Sequence, residues 1–401
     1  MLFLFGDFAL DTERRELRAR GQLVAVEPQV FDLLTYLIRN RDRVVSKDDL
    51  IASVWGGRIV SDSTLDSRIN AARKAVGDSG ERQALIRTVA RKGVRFVAGV
   101  EQKQEPQDAE PARPAIAHKQ EVSFCRSDES INIAYAAVGS GPVLLKTANW
   151  LTHLEYDWES PVWLPLLQQL AQKHRLIRYD SRGNGLSDRN VDEISFAGFA
   201  RDFEAVVGAS KAERFAVLGI SQGAAIAIDY AVRHPDRVTK LVLHGGYALG
   251  RNKRGSAEET DKANVFLSMM RHGWGDEHSA FMRAFASVFI PNGSPEQIKW
   301  LADLQRVTTT AENALRIRTA CDDIDVVALL SKVSVPTLVL HSRHDNVSPL
   351  EQGRLLATSI PNARFVTLDS DNHVLLPGEP AWPKFLSEIE AFLADRPPGS
   401  E

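Results

Sequence analysis

The amino-acid sequence predicts an α/β protein of two domains: a small N-terminal domain of short strands and three helices, and a larger domain around an eight-stranded, mostly parallel sheet. Three observations support this prediction. The 401 residues exceed the size at which a single hydrophobic core usually stops growing. A charged, proline-rich stretch divides the chain into two regions that each have complete apolar patterning. In the second region, strand-like runs alternate with helical ones, as they do in doubly wound sheets.

The composition is that of a globular protein. Hydrophobic residues make up 44% and charged residues 25% of the chain, which supplies apolar surface for two cores and argues against disorder. Cys125 and Cys321 fit neither a disulfide framework nor a zinc site with paired ligands, so we expect no metal, no other cofactor and a cytoplasmic location. No run reaches the roughly 18 apolar residues of a membrane-spanning helix, so we expect no membrane partner.

Positive charge is concentrated in the first part of the chain. Residues 1–100 hold 17 basic and 13 acidic side chains, a balance of +4, whereas the rest hold 32 and 39, a balance of −7. This asymmetry predicts a polyanionic partner for the first part. Residues 101–119 contain three prolines and almost no large apolar side chain, so we predict domains at 1–100 and 120–396 that are joined by an extended linker.

The first domain begins with strands and continues with helices. Short antiparallel strands are predicted over Leu2–Leu10 and Glu16–Val26. Pro28 suits the first turn of a first helix. Ser46 caps a second helix, and Asp49, three residues later, completes an approximate capping box.

A third helix begins at Ser61 or Asp62 and stops at Gly77, a good C-terminal cap. Its apolar stripe is predicted to be buried and consists of Leu65, Ile69, Ala72 and Val76. Small and hydrogen-bonding residues face the other way, with two arginines on the flanks: Ser63, Ser67, Asn70, Ala71 and Lys74, with Arg68 and Arg73. Such a face can approach the major groove of DNA closely, while the basic flanks reach phosphates or guanine edges.

The domain ends in two strands, 85–89 and 94–97, around a basic tip at Arg91 and Lys92. This order of elements, with the ending I-R-T-V-A-R-K-G-V-R-F, closely resembles the OmpR/PhoB-type winged-helix family over nearly all of residues 1–100. The resemblance implies a winged helix-turn-helix domain whose third helix enters the major groove and whose hairpin lies along the minor groove or backbone. The residues that it places at the DNA are Arg68, Asn70, Arg73, Lys74, Arg91 and Lys92.

The resemblance implies double-stranded DNA as a partner and RNA polymerase as a further contact. A single winged helix covers a short site, so we also expect a homodimer. Asn70 and Ala71 stand where arginine is frequent in the family, which predicts weaker phosphate affinity. The family usually receives its signal through a separate receiver domain or membrane segment, and we recognise neither here. We therefore expect the signal to enter through the second domain.

The second domain contains eight predicted strands: Glu121–Cys125, Ile131–Val138, Pro142–Thr147, His174–Asp180, Arg214–Ile220, Val238–Gly245, Thr337–Ser342 and Arg364–Asp369. The strongest motif is G-I-S-Q-G, Gly219–Gly223, between the fifth strand and an apolar helix. A serine in this context stands in a strained turn with its hydroxyl exposed above the sheet. The motif predicts Ser221 as a nucleophile.

A nucleophilic serine needs a base, and the base needs a carboxylate. Asp345 follows the seventh strand and His373 the eighth, which gives the order Ser, Asp, His. Asp369 and Asp371 also lie close to His373 in sequence, so spacing alone leaves the acid open, although the strand end favours Asp345. The oxyanion needs two backbone donors. We expect these to be the amides of Gln222 and Trp150.

These motifs strongly resemble the α/β-hydrolase superfamily over about residues 120–395. The loop D-S-R-G-N-G-L-S, Asp180–Ser187, matches a loop of that family and is interpreted as structural. Ala148-Asn149 replaces the His-Gly dipeptide that many members carry before the oxyanion residue. Between about 250 and 333 the pattern becomes helical and predicts a cap over the site.

Large apolar residues of the cap and nearby loops are candidates for lining a ligand pocket: Trp150, Trp158, Trp163, Met269, Met270, Trp274, Phe285 and Phe289. Each of them also fits a plain core position. A pocket built from them predicts a small, partly apolar ligand, such as an ester, lactone or amide.

The favoured hypothesis is a one-component transcriptional regulator whose hydrolase-fold domain binds, and where the triad is active hydrolyses, a small effector. The alternative is a carboxylesterase-type serine hydrolase with an accessory DNA-binding-like domain. A third hypothesis is a binding module with a silent triad. The sequence leaves open whether the triad turns over.

Overall fold

The computed structural model describes residues 2–12, 15–54, 62–90, 92–103, 120–128, 130–255, 257–275 and 280–394. The chain divides into two compact units, residues 1–115 and 116–401. Each unit has its own cluster of buried apolar side chains.

The N-terminal unit combines an antiparallel sheet, three helices and a hairpin. Its elements are β1 (Leu2–Phe5), β2 (Phe8–Asp11), β3 (Glu16–Ala19), β4 (Gln22–Val24), α1 (Pro28–Arg39), α2 (Lys47–Val54), α3 (Asp62–Ala75), β5 (Ile86–Val89), β6 (Gly93–Phe96) and β7 (Glu101–Lys103). The sheet order is β4-β3-β2-β1-β7, and β5 pairs with β6 as a separate hairpin. The order of strands, helices and hairpin agrees with the order expected from the sequence.

Local sequence explains where these helices begin and end. Ser46 Oγ accepts a hydrogen bond from the Asp49 amide at 3.1 Å, and Asp49 Oδ2 accepts one from the Ser46 amide at 3.3 Å, so the capping box forms with aspartate. After α3, Gly77 has a φ of +67°, the left-handed conformation that ends many helices. The predicted stripe of α3 is buried, as expected: Leu65, Ile69, Ala72 and Val76.

The expected start of the linker at residue 101 is wrong. Glu101–Lys103 form β7, which pairs antiparallel with β1 from Leu4↔Glu101 to Leu2↔Lys103. An edge strand offers unpaired backbone groups, and three polar residues are enough to cover them. The rest of the expected linker, residues 104–119, lies outside the described residues.

The C-terminal unit is built around an eight-stranded sheet, as the sequence predicted. The strands are β8 (Glu121–Ser127), β9 (Ile131–Val138), β10 (Val143–Lys146), β11 (Arg175–Tyr179), β12 (Phe215–Ile220), β13 (Val238–His244), β14 (Thr337–Ser342) and β15 (Arg364–Leu368). Their order is β15-β14-β13-β12-β10-β11-β9-β8. Only the β8–β9 and β9–β11 pairs are antiparallel. The carboxyl ends of β12, β14 and β15 therefore meet at one edge, where this fold carries its ligands.

Helices cover both faces of the sheet and form a cap. They are α4 (Leu154–Trp158), α5 (Leu164–Lys173), α6 (Phe196–Ser210), α7 (Gly223–Arg233), α8 (Ala257–Gly273), α9 (Ala280–Phe289), α10 (Pro295–Thr308), α11 (Ala311–Asp322), α12 (Val327–Leu330), α13 (Leu350–Ser359) and α14 (Trp382–Ala394). The cap consists of α8–α11, inserted between β13 and β14. Among the helices described, none is long and apolar enough to cross a membrane.

The loop after β11, Asp180–Ser187, is held in place at the edge of the sheet by buried polar contacts. Asp180 is fully buried and accepts hydrogen bonds from the backbone amides of Leu154 and Leu186 at 3.1 and 2.9 Å. Arg182 is also fully buried and pairs with Asp202 at 2.8 Å. A buried charge costs free energy unless it is paired, and Asp202 pairs with Arg182. Burial raises the pKa of Asp180, whose Oδ2 is held by the two amides. These contacts are those of a structural loop.

Candidate active site and DNA-binding surface

Ser221 occupies the sharp turn between β12 and α7. Its φ is +56°, in the left-handed region that residues other than glycine rarely adopt. A Cβ on Gly219 would lie 2.7 Å from Ala224 Cα, and one on Gly223 would lie 2.4 Å from Thr147 Oγ1. The two glycines are therefore required for the turn to pack this closely, and the strain holds the serine at the carboxyl edge of the sheet.

His373 and Asp345 form a buried pair next to this turn. His373 Nδ1 lies 2.6 Å from Asp345 Oδ2, and the exposed fractions of the two residues are 1% and 7%. Asp345 Oδ1 accepts hydrogen bonds from the amides of Val347 and Ser348 at 2.8 and 3.0 Å. Burial alone would raise the pKa of Asp345, but the neighbouring His373 and the Ser348 amide outweigh it and hold that pKa below its ordinary value.

The two other acids that the sequence left open do not take this position. Asp369 is exposed and lies 3.9 Å from Arg343. Asp371 Oδ2 accepts a hydrogen bond from Asn292 Nδ2 at 3.1 Å. Asp345 is thus the carboxylate that contacts the histidine ring.

Hydrogen bonds and packing around His373 fix its position. Its amide donates to Phe289 O at 2.9 Å, and His244 Nε2 donates to its carbonyl oxygen at 3.1 Å. Burial, followed by the nearby His373 and His341, lowers the pKa of His244 to about 3, so His244 is a neutral structural donor. His373 Nε2 is buried and has no hydrogen-bond partner among the described residues. That nitrogen remains available to a ligand or to the serine hydroxyl.

An apolar cavity joins Ser221 and His373. It is lined by both residues together with Asn149, Trp150, Leu151, Trp163, Ile220, Phe289, Leu301, Leu304, Gln305 and Val374. A second cavity shares Trp150, Ser221 and Phe289 with the first. We call these the apolar branch and the arginine branch, since the second is also lined by Arg251, Arg254 and Arg318.

The residues expected to supply the oxyanion donors lie on these walls. Trp150 lines both branches, and Gln222, at the N-terminal end of α7, lines the arginine branch. Amides at the first turn of a helix have no partner within the helix, which suits them to a developing negative charge. Asn149, which replaces glycine of the family pattern, accepts a hydrogen bond from the buried Lys146.

The predicted pocket lining was only partly right. Trp150, Trp163 and Phe289 line the apolar branch, but none of Trp158, Met269, Met270, Trp274 and Phe285 lines either branch. Met269 is 50% exposed on α8, and Trp158 lies beside Arg178. Phe285 and Met270 are buried, and Trp274 packs against Phe285 and Trp150 behind the cavity wall. The helical spacing predicted that these residues lie on apolar faces. It did not predict which face of each helix lines the cavity.

The sequence prediction missed the charged wall of the site. Arg251 and Arg254 follow β13, and Arg318 lies on α11. Because Arg318 is far from the other two arginines in sequence, the cluster cannot be recognised from the sequence alone. The available signal was the run R-N-K-R at 251–254 beside the predicted cap. The described residues contain no cluster of three metal-ligating side chains.

In the N-terminal unit, α3 exposes part of its predicted DNA-facing surface. Ser67, Asn70 and Lys74 are exposed. Lys92 is exposed on the hairpin, and neither its side chain nor that of Lys74 has a partner within the described ranges. An open groove has Asn70 on one wall and Lys92 on the other. Arg91 lies outside the described residues.

The expectation that Arg73 lies free on the flank of α3 is wrong. Arg73 is 5% exposed. Its guanidinium donates to Ile86 O at 3.1 Å, Thr88 Oγ1 at 2.8 Å and Asn70 Oδ1 at 3.3 Å. The flank of the helix faces β5, so the long side chain crosses to the hairpin instead of reaching solvent. Arg68 is partly buried and pairs with Glu27.

Comparisons with known proteins identify a family for each of the two units. The family model described as alpha/beta hydrolase fold matches residues 151–380, and the model described as transcriptional regulatory protein, C terminal, matches residues 21–96. The chain is 25% identical over 253 residues to the AB hydrolase superfamily protein YisY of Bacillus subtilis, covering 62% of this chain and 91% of that protein. It is 26% identical over 274 residues to a pimeloyl-acyl-carrier-protein methyl ester esterase of Nitrosomonas europaea, covering 66% and 97%.

Solved structures show the same fold. An esterase from Exiguobacterium antarcticum has a TM-score of 0.57 at 22% identity, covering 68% of this chain and 99% of that one. A bromoperoxidase from Bacillus anthracis has a TM-score of 0.58 at 22% identity, covering 69% and 100%. The chain therefore belongs to the α/β-hydrolase fold family and carries, ahead of that domain, an OmpR/PhoB-type transcriptional-regulator DNA-binding domain.

Proposed function

We propose that this chain is a one-component transcriptional regulator whose C-terminal unit hydrolyses a small ester, lactone or amide at Ser221. One observation carries the catalytic part: a serine in the left-handed conformation shares a cavity with His373, whose other ring nitrogen lies 2.6 Å from Asp345. A buried carboxylate at Nδ1 leaves Nε2 as the basic nitrogen on the cavity side.

In the proposed mechanism, Ser221 Oγ attacks the carbonyl carbon while His373 Nε2 takes the hydroxyl proton. The resulting oxyanion accepts hydrogen bonds from the amides of Gln222 and Trp150. When the tetrahedral intermediate collapses, His373 gives its proton to the leaving alcohol or amine. A water molecule, deprotonated by His373, then attacks the acyl-serine. When this second tetrahedral intermediate collapses, His373 returns the proton to Ser221 Oγ and the acid product leaves.

The proposed DNA contact uses the outer face of α3 and the hairpin. Exposed polar and small residues on the helix suit close approach to base edges, and the unpaired ammonium groups of Lys74 and Lys92 suit phosphates. We propose a homodimer on double-stranded DNA, because one such domain covers a short site, with RNA polymerase as a further partner in the cytoplasm.

Regulation requires that the ligand in the hydrolase unit favour one arrangement of the DNA-bound chain over another. A ligand that binds both arrangements equally shifts nothing, however tightly it binds. The proposal therefore predicts that an effector changes DNA affinity, and not only occupancy of the cavity.

The test compares Ser221→Ala with a matched control, Ser387→Ala, which removes an exposed serine on α14. Two assays are run on each full chain: hydrolysis of 4-nitrophenyl acetate and binding to DNA from its own promoter across a salt series. We expect Ser221→Ala to lose about 10⁴-fold or more in kcat and to keep DNA binding, and Ser387→Ala to match the wild type in both.

Each other outcome rejects a stated part of the proposal. Equal hydrolysis by Ser221→Ala and the wild type contradicts the serine mechanism. DNA binding without hydrolysis favours a binding module with a silent triad. Hydrolysis without any salt-dependent affinity for DNA favours a carboxylesterase-type enzyme with an accessory domain.

A further inference from the structure

The arginine branch contains one arginine whose charge no described side chain neutralises. Arg318 Nε donates to Asp322 Oδ2 at 2.8 Å, so these two residues form a neutral pair in the wall. Arg254 Nε donates to Leu249 O at 3.0 Å. Arg251 has neither an ion pair nor a side-chain hydrogen bond within the part of the chain that the structure describes. An unneutralised cation therefore faces this branch.

The position of Arg251 is fixed by the backbone. The turn Arg251–Lys253 follows Gly250, whose amide donates to Ile324 O at 2.8 Å. A Cβ on Gly250 would lie 2.3 Å from Asp322 O, so only glycine permits this approach to the end of α11. A rigidly held donor binds an anion at lower entropic cost than a mobile surface arginine.

Burial makes the unpaired charge significant. Arg251 is partly buried, and desolvation, with Arg318 nearby, lowers its pKa to about 10, so the guanidinium stays charged at neutral pH. Charged groups taken from water are normally paired, because an unpaired one costs free energy. A ligand anion that enters the branch would supply the missing partner.

The other residues of the branch provide binding and not a second reaction. Burial raises the pKa of Cys321 to about 12, so its thiol stays protonated and is a poor nucleophile. Burial also raises the pKa of Tyr247, which stays a neutral phenol. Ser221 is the group in this wall with the geometry of a nucleophile.

We propose that the arginine branch binds a carboxylate of the substrate, so that the preferred substrate is an ester whose acyl part ends in a carboxylate. A guanidinium matches a carboxylate with two parallel hydrogen bonds. This deepens the proposed function and rests on it. His373, which protonates the leaving group, lines only the apolar branch, and Gln222 lines only the arginine branch. The leaving group therefore enters the apolar branch, and the acyl chain extends toward Arg251.

The test uses two esters with equal carbon chains in the acyl part: 4-nitrophenyl hydrogen glutarate, which is anionic, and 4-nitrophenyl pentanoate, which is neutral. The variants are Arg251→Gln, Arg251→Lys and the control Lys253→Ala, which alters an exposed residue of the same turn. We expect the wild type to favour the anionic ester in kcat/KM by about 10- to 100-fold, the range for a hydrogen bond to a charged group. Arg251→Gln abolishes that preference, Arg251→Lys keeps part of it, and Lys253→Ala keeps all of it.

Two results overturn the inference: equal use of both esters by the wild type, or an equal loss for both esters in Arg251→Gln. A separate measurement distinguishes failure of catalysis from failure of the subsite. Free glutarate should raise the melting temperature of Ser221→Ala and not that of Ser221→Ala/Arg251→Gln. If the wild type cleaves neither ester, this shift still supports the subsite while the hydrolytic function fails, and its absence rejects the subsite as well.

Discussion

Two regions of this molecule present positive charge, and they differ in how much water surrounds it. On the N-terminal unit, Lys74 and Lys92 are exposed. In the hydrolase unit, Arg251 and Arg318 line a narrow branch, and Arg318 is only 7% exposed. Solvated charges interact weakly with any single partner and are screened by salt, whereas partly desolvated charges interact more strongly and demand a matched partner. Solvated lysines thus suit a long polyanion, and partly buried arginines suit the small carboxylate that we propose.

The largest effect is expected from a buried charge at the proposed reaction centre. Asp345→Asn preserves the size of the side chain but removes the negative charge that holds His373 in its tautomer. We expect kcat for ester hydrolysis to fall by about 10⁴-fold with little change in circular dichroism. The exposed Asp369→Asn is the matched control and should retain full activity. A loss of less than tenfold in Asp345→Asn would show that this carboxylate does not support the base.

A buried carboxylate should also matter for stability within the DNA-binding unit. The Asp78 carboxylate accepts four backbone hydrogen bonds, from Ser79, Ala84, Leu85 and Ile86, at 2.8–3.0 Å. Asp78→Asn should lower the free energy of unfolding of this unit by about 1–3 kcal/mol, measured by urea denaturation. Asp66→Asn, at an exposed pair with Lys47, should change it by less than about 1 kcal/mol.

The same carboxylate gives a pH dependence of defined sign. Burial would raise the pKa of Asp78, but its backbone hydrogen bonds outweigh burial and hold it below the ordinary value. A lowered folded-state pKa means that the stabilisation is complete above about pH 4, the pKa in the unfolded chain, and is lost as the pH falls through the folded value. Asp78→Asn should lack this acid-limb loss. An identical acid limb in both proteins would contradict the assignment.

Salt should separate the two charged regions in one experiment. Between 50 and 200 mM salt, DNA affinity should fall by about threefold for each phosphate contact. KM for the anionic ester should change by less than about twofold over the same range, because partly buried charges are screened less. A DNA affinity insensitive to salt would remove the electrostatic role of the N-terminal surface.

The smallest expected effect belongs to single lysines at the DNA. Lys74→Ala and Lys92→Ala should each reduce the slope of log affinity against log salt by about 0.9 for each site lost. Lys211→Ala, on the hydrolase unit, is the control and should leave the slope unchanged. If neither lysine variant alters the slope, DNA binds elsewhere on the unit.

Local patterns predicted the secondary-structure elements and the turn at Ser221 better than the lining of the cavity. The G-I-S-Q-G turn, the strand ends and the capping box of Ser46 each depend on residues close in sequence, and the structure has them where they were expected. The choice among Asp345, Asp369 and Asp371 required three dimensions, because all three follow strands at the same sheet edge. Only the 2.6 Å contact with His373 separates them.

Side chains whose partners come from distant segments could not be placed from the sequence. Helical phase gave the direction of the Arg73 Cβ, but not that its guanidinium would reach Ile86 and Thr88 on β5. The arginine branch combines a turn after β13 with α11. No local sequence pattern indicates that these two segments lie close together in the fold. The cap aromatics likewise pack on one another, and spacing along a helix does not say which of them face the cavity.

The acyl-transfer site proposed at Ser221 can be tested by reaction of the full chain with a fluorophosphonate, followed by intact mass measurement and peptide mapping. A nucleophilic serine activated by His373 should give one adduct per chain, located on Ser221 and absent in Ser221→Ala. Reaction in His373→Ala should be slower by orders of magnitude. A wild-type chain that stays unlabelled, or an adduct on a different residue, would contradict the proposed mechanism.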